Sequence, residues 1–224
     1  MILQLVSMLV GIALFCQATL AVMFLRTFLH EFGHYCADRF YGLPVSQFEI
    51  GEGPVRFSWT DRRGTTWTLR RSFGGGFVDV GSDTDGVPLD ISPRARLLIS
   101  AAGPCMDVVL IVALTTGAVG TVIALLLHPL GNEASVAVYF GQILAVAVFS
   151  ISACLLSALV VLDLQCDIPE SDNGQMEEAS ACLEPRRDWR DGLALTGVSA
   201  LRLAPKLVLP LGMLLAGITI YVHL

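Results

Sequence analysis

The sequence predicts an α-helical membrane protein with about four transmembrane helices and a β-hairpin on the cytoplasmic side between the first and second. Of the 224 residues, 54% are hydrophobic and 15% are charged, and the mean hydropathy is +0.67. Soluble domains are much less apolar. Apolar stretches long enough to cross a hydrocarbon core about 30 Å thick recur along the chain. The 14 Lys and Arg residues all lie in two segments, Arg26 to Arg96 and Arg186 to Lys206.

The predicted spans cover about 3–40, 93–127, 136–163 and 204–224, within one domain of residues 1–224. The first span starts with a stretch from Met1 to Leu25 that contains no charged side chain. It lacks the basic start of a secretory signal, so we interpret it as a mature transmembrane helix. Ser92 followed by Pro93 predicts the start of the second span, because a hydroxyl caps the helix and proline suits its first position.

The basic segments predict the orientation of the chain. Lys and Arg are enriched in cytoplasmic loops, so both segments are expected on the cytoplasmic side and both termini outside. At about 1.5 Å per residue, Met1 to His30 covers roughly 45 Å, which exceeds the hydrocarbon thickness. Either residues near His30 lie close to the cytoplasmic interface of this multi-pass integral membrane protein, as we expect, or the first helix is strongly tilted.

A β-hairpin is predicted within about 45–81. Val55, Phe57 and Trp59 alternate with polar residues, and Trp67 and Leu69 resume the alternation after "DRRG". A period of two around a turn is typical of paired antiparallel strands.

The stretch "HEFGH" contains the candidate metal site. On a helix, His30 and His34 lie on one face and can offer two imidazoles to one ion, with Glu31 on the neighbouring edge. This H-E-x-x-H arrangement is typical of zinc hydrolases, with the glutamate as general base. A chance motif and a structural metal are the alternatives. Ionisable groups on a membrane helix are usually functional, and structural zinc sites favour four protein ligands and cysteine.

Four blocks in order resemble the site-2 protease family of intramembrane zinc metalloproteases: "HEFGH", "FEIGEGPVRFSW…TLRRSFGGGFV", "AAGPCMD" and "IPESDNGQ". The resemblance implies one Zn²⁺ per chain and cleavage of a peptide bond in or near a transmembrane segment of a membrane-anchored protein, as in regulated intramembrane proteolysis. It also implies a third metal ligand, an aspartate that the family presents in a Leu-Asp-Gly segment.

Asp172 in "PESDNG" is the best match for this third ligand, with Pro169 before it and Gly174 after it. An irregular segment of this kind would let a carboxylate double back toward the metal. Asp163 and Asp167 are the alternatives, and all three could instead form a solvated cap on the third span.

The sequence departs from the family at two points. The family's Asn-Pro segment, expected to contact substrate or oxyanion, is missing, so another donor would have to serve. Asp107 stands where the family's Gly-Pro-x-x segment usually ends in asparagine, and is expected to be a buried hydrogen-bonding group or a helix-packing residue. No PDZ domain is expected, because only "HPLGNEA" connects the second and third spans.

The expected partners are a membrane-anchored protein substrate and the lipid bilayer, with no nucleic acid; the oligomeric state is not predicted. An edge strand at Val55, Phe57 and Trp59 is the candidate substrate-binding element, because strand addition holds a peptide extended. Two other functions stay open. One is a catalytically silent scaffold that keeps the fold, and the other is a metal transporter that uses His30, His34 and Asp107.

Overall fold

The computed structural model describes residues 2–81, 91–127, 136–163, 171–183 and 190–203. In chain order the elements are helix α1 (Ile2–Phe40), strands β1 (Val45–Thr60) and β2 (Thr66–Val80), and helices α2 (Pro93–Leu127), α3 (Val136–Asp163) and α4 (Asp172–Ala181). A further helical segment covers 190–203.

Two of the described helices are long and apolar enough to cross a membrane, over Leu9–Phe40 in α1 and Pro93–Ile123 in α2. Helix α3 contains a shorter apolar stretch, Leu144–Val160. With the small sheet between α1 and α2, this fits a membrane protein. The predicted fourth span at about 204–224 lies outside the described residues, so the count of four stays a prediction. The predicted cap of α2 is confirmed, because the Ala95 amide donates to Ser92 Oγ at 3.3 Å.

Helices α1 and α2 approach closely because glycines lie at their interface. A Cβ built on Gly33 would lie 2.5 Å from the Ala102 carbonyl oxygen and 2.9 Å from Met106 Cγ, distances that real Cβ atoms do not adopt. Small residues at a helix interface allow backbones to approach in this way. The face of α1 that bears the two histidines therefore packs directly against the start of α2.

The predicted hairpin is confirmed. Strands β1 and β2 pair antiparallel, with Val55, Phe57 and Trp59 opposite Arg70, Leu69 and Trp67. Asp61 organises the turn, since its carboxylate accepts from the Arg63 and Thr65 amides at 2.8 and 3.1 Å and from the Trp67 indole at 3.0 Å. The Trp67 hydrogen bond lowers the pKa of the Asp61 carboxyl, because it favours the charged form.

Both strands are bent, so that one segment of a strand can pair with two different segments of the other strand. Residues 47–50 of β1 lie opposite both 66–69 and 76–79 of β2, with a register shift where β1 bends at Gly51. Gly51 has a φ of 93°, and a Cβ there would overlap the Ser72 carbonyl, so only glycine suits this bend. The bend places residues 76–80 at one outer edge of the sheet and residues 55–60 at the other.

The buried residues form two clusters. One lies between α1, α2, α3, α4 and the 190–203 segment, with Leu97, Ile111, Leu156 and Met176 almost fully buried. The other lies where the sheet covers the aromatic face of α1, and it contains Tyr35, Val45, Phe48 and Ile50 with Phe28, Phe32 and Trp67 packed against them. The sheet is thus held against the end of α1 that contains "HEFGH".

Candidate metal centre

His30 and His34 present their Nε2 atoms to each other across one helical turn of α1. The two Nε2 atoms are 3.4 Å apart, and both side chains are largely buried. The spacing of four residues on a helix places the two rings on one face, as predicted.

The other ring nitrogen of each histidine is held by α2. His34 Nδ1 lies 2.9 Å from the Ile99 carbonyl oxygen, and His30 Nδ1 lies 2.9 Å from Asp107 Oδ2. A carbonyl oxygen only accepts, so His34 Nδ1 bears the proton and donates it. The same tautomer in His30 satisfies the Asp107 carboxylate. Both Nε2 atoms then have a free lone pair, as metal-ligating histidines require.

Asp172 on α4 brings a third potential ligand atom to the two histidines. Its Oδ2 lies 3.0 Å from His30 Nε2 and 3.3 Å from His34 Nε2.

Asp172 lies at the start of helix α4. Ser171 is the N-cap of α4, and its hydroxyl accepts from the Gly174 amide at 3.2 Å. Asp172 is therefore the first helical residue, where a negative charge also suits the helix dipole. The described part of this segment is helical from Asp172, and Ser171, which departs from the family's leucine, is the N-cap. Residues 164–170 lie outside the described residues, so an irregular segment there stays a prediction.

The three ligand atoms fit a tetrahedral metal ion. Bonds of about 2.0 to 2.1 Å at tetrahedral angles separate ligand atoms by roughly 3.3 Å, and the three separations here are 3.0, 3.3 and 3.4 Å. In the neutral tautomers no proton lies between these atoms, so three lone pairs would repel each other without a cation. Two imidazoles and one carboxylate leave a fourth position open, which is typical of a catalytic zinc site.

Gly103 on α2 leaves space for the metal ion between the two histidines. A Cβ built there would overlap His34 Nε2 and would lie 2.6 Å from His30 Nε2, the two atoms that face the metal position. Any side chain at residue 103 would thus occupy the space that the ion needs.

The ligands open onto a cavity of about 500 Å³. Its walls come from α1, β2, α2 and α4, and they include His30, Glu31, His34, Asp38, Gly76, Phe77, Val78, Ser100, Asp172 and Gln175. Glu31 lies beside the ligands in this wall, as predicted from its place after His30.

Strand β2 passes directly over Glu31. A Cβ built on Gly76 would lie 2.6 Å from Glu31 Cγ and 2.8 Å from the Glu49 carbonyl oxygen. Residues 76–80 pair with residues 45–50 of β1 and with no other strand among the described residues. A sheet edge with open hydrogen-bonding groups therefore borders the cavity next to Glu31.

The comparisons with known proteins agree with this geometry. The model of peptidase family M50 matches residues 18–218, most of the 224-residue chain. The chain belongs to peptidase family M50, the site-2 protease family. The M50 match includes α1 from before the histidines, the sheet and α2 to α4.

Several bacterial proteins are similar to parts of this M50 chain. Two bear the name "Putative zinc metalloprotease": one from Rhizobium meliloti, 41% identical over 66 residues (30% of this chain, 18% of the relative), and one from Rickettsia conorii, 34% identical over 102 residues (40% and 28%). Metalloprotease MmpA of Caulobacter vibrioides is 34% identical over 74 residues (33% and 19%). The chain spans less than a third of the length of each of these relatives.

The structure brings together only part of the predicted site of this M50 chain. His30, Glu31, His34 and Asp172 share one cavity. Asp163 ends α3 and Asp167 follows it; the side chain of the first and the whole of the second lie outside the described residues. Val55, Phe57 and Trp59 are exposed at the far part of β1 and do not line the cavity, so their contact with substrate stays a prediction.

The sequence alone gives no site role to four residues near the ligands: Arg26, Gly76, Gly103 and Gln175. Arg26 precedes His30 by four residues, so helical spacing places it on the same face, although in the sequence it stands out only as part of a basic segment. Gln175 lies one turn after Asp172 on α4 and lines the cavity, and Ser100 Oγ lies 3.2 Å from its Oε1. The two glycines show their role only once the elements are packed.

Proposed function

We propose that this chain is an intramembrane zinc metalloprotease that hydrolyses a peptide bond in or near a transmembrane segment of a membrane-anchored protein. The observation that supports this most is the convergence of three candidate ligand atoms at tetrahedral separations beside Glu31, two of them on α1, which is apolar enough for a bilayer. Membership of peptidase family M50 and the names of the relatives support the same conclusion.

His30, His34 and Asp172 would hold the zinc ion. When bound, the ion supplies Lewis-acid chemistry, activating water and polarising the scissile carbonyl. The chain's own part is proton transfer. Glu31 takes a proton from the attacking water and delivers it to the nitrogen of the departing amide. Gln175, whose amide lines the cavity, is a candidate donor to the substrate in place of the family's missing asparagine.

The substrate must be extended to react, because the peptide bonds of a helix are shielded and hydrogen-bonded. The edge of β2 at residues 76–80 offers main-chain partners beside Glu31, so we infer that a substrate strand adds there. Val55, Phe57 and Trp59 are then proposed to contact a more distant part of the substrate or its surroundings. The glycine at 76 lets the strand approach the base closely.

We also propose four spans with both ends outside and the site near the cytoplasmic face. Helix α1 has 39 residues, about 58 Å at 1.5 Å per residue, so part of it extends beyond a hydrocarbon core about 30 Å thick. His30 and His34 lie in its last third, next to the Arg-rich hairpin, which suits the cytoplasmic interface.

The test is Glu31→Gln in the full chain, co-expressed with candidate single-span membrane proteins. The amide keeps the size of the side chain but cannot accept the proton, so cleavage should fall by about 10² to 10⁴-fold while zinc stays bound. His30→Ala should lose both zinc and cleavage. Glu177→Gln on α4 is the matched control, because Glu177 is exposed and does not line the cavity.

Wild-type cleavage by a zinc-loaded Glu31→Gln variant would overturn this mechanism. If the wild-type chain binds zinc and no substrate loss depends on Glu31, a silent scaffold is the better description.

A further inference from the structure

Arg26, Asp107 and His30 form a continuous chain of hydrogen bonds from α1 to α2 and back to α1. Arg26 Nε donates to Asp107 Oδ1 at 3.0 Å, and one of its terminal nitrogens donates to Asp107 Oδ2 at 2.8 Å. The same Oδ2 accepts from His30 Nδ1 at 2.9 Å. The arginine thus donates to both carboxylate oxygens, and one of these oxygens also accepts from the histidine.

These three side chains lie in apolar helices, where burying an ionisable group costs free energy. Asp107 is 1% exposed and lies in the part of α2 that is apolar enough to cross a membrane, while Arg26 lies in the corresponding part of α1. Ionisable groups in such segments are costly unless they are paired. A two-pronged Arg–carboxylate pair also fixes the plane of the carboxylate, because the guanidinium is rigid and planar.

Helix packing alone does not explain the geometry. An Arg26–Asp107 pair would already tie α1 to α2 without the histidine. Instead Oδ2 accepts from the ring nitrogen opposite the one that faces the metal position. That contact holds the proton on His30 Nδ1, leaves the lone pair on Nε2, and sets the rotation of the ring.

We propose that Asp107 is a positioning residue for the metal ligand His30 and that Arg26 holds the Asp107 carboxylate in place. The inference rests on the proposed metal site and concerns zinc affinity, not proteolysis. Asp107 lies behind His30 and is not among the residues that line the cavity. His34 has no such carboxylate, since the Ile99 carbonyl fills the equivalent position.

The proposal predicts graded losses of zinc affinity. Groups that orient a ligating histidine typically contribute about 10 to 100-fold to metal affinity. Asp107→Ala removes the acceptor, and its loss of zinc affinity should lie in this range. Asp107→Asn keeps an oxygen for His30 but turns an N–H₂ toward Arg26, so it should also lose affinity. Combining it with Arg26→Gln restores a neutral pair in which the glutamine oxygen accepts from the asparagine, and should recover much of the loss.

The experiment uses the full chain in detergent micelles, with zinc affinity measured by competition against a chromophoric chelator and the ligand geometry followed by the visible spectrum of the cobalt-loaded form. Thr115→Val is the matched control. Thr115 is also buried on α2, but its hydroxyl bonds only to its own helix, at the Ile111 carbonyl, among the contacts described. It should leave zinc affinity and the cobalt spectrum unchanged.

Two outcomes of this experiment decide whether Asp107 positions His30. A loss in Asp107→Asn with a changed cobalt spectrum, substantially recovered in the double variant, supports the positioning role. Zinc affinity within twofold of wild type in both Asp107 variants, or a double variant no better than Asp107→Asn alone, overturns it. Because proteolysis is not the readout, a chain that binds zinc normally in these variants would contradict this inference and leave the proposed protease function standing.

Discussion

A single methyl group added at Gly103 should abolish tight zinc binding. The Gly103→Ala Cβ would overlap His34 Nε2 and would lie 2.6 Å and 2.8 Å from Nε2 and Cδ2 of His30. The two rings cannot simply rotate away, because His30 Nδ1 is bonded to Asp107 and His34 Nδ1 to the Ile99 carbonyl. Relief therefore requires at least one ring to leave its position, or α2 to move away from α1.

The size of the effect follows from this geometry. Metal-ligand distances tolerate deviations of only about 0.2 Å, and loss of a supporting contact behind one histidine already costs about 10 to 100-fold in affinity. Displacing the ligands themselves should cost more than about 100-fold, equivalent to at least ~2.7 kcal/mol at 1.36 kcal/mol per tenfold. Cleavage should be lost in the same variant.

The assay is zinc competition with a chelator on the full chain, alongside thermal unfolding of the metal-free form. Gly120→Ala is the control, because it lies on the same helix, makes the same substitution and meets nothing within 4 Å. It should bind zinc normally and gain up to about 1 kcal/mol of stability, the usual helix-propensity difference. Wild-type zinc affinity in Gly103→Ala would refute the assignment of the metal position.

Three further predictions follow from the same contacts. Asp172→Ala should weaken zinc binding by more than about 100-fold while Asp163→Ala should not; the reverse result would show that the wrong carboxylate is assigned. Gly76→Ala should slow cleavage at least tenfold with zinc retained, because its Cβ would press on Glu31 Cγ. Gly74→Ala is the control: its Cβ would make only ordinary contacts from 3.6 Å, so this variant should cleave normally. Equal cleavage rates in the two variants would argue against close passage of β2 over the base. Reporter fusions at Gly64 and Arg187 should both be cytoplasmic, and an external signal at either would contradict the proposed topology.

The parts of the site that depend on local spacing could be predicted from the sequence. His30, Glu31 and His34 follow from helical periodicity, and Asp172 from a partial match to a family segment. The hairpin follows from alternation around "DRRG". The strand edge beside Glu31 could not be predicted, because it depends on the bend at Gly51 and on register shifts that bring residues 76–79 next to 47–50.

The supporting contacts could not be predicted for a different reason. The Ile99 carbonyl, Gly103 and the Arg26–Asp107 pair act across the α1–α2 interface, and no periodicity in either helix reveals which residues meet. In the sequence, Asp107 stands out through its departure from the asparagine expected there. Its pairing with Arg26 explains how this chain tolerates a carboxylate there, since the arginine supplies the compensating charge.

The pair of helices α1 and α2 positions both imidazoles, and α4 and β2 each add a further part of the proposed site. Gly33 and Gly103 let α1 and α2 approach until His34 reaches the Ile99 carbonyl and His30 reaches Asp107, so both imidazoles are set by one helix pair. The proposed third ligand comes from α4 and the proposed substrate edge from β2. Residues 34 and 172 are far apart in sequence, so an ion bound between them would link α4 to the helix pair. The positions of both imidazoles therefore depend on how closely two glycine-containing apolar helices pack.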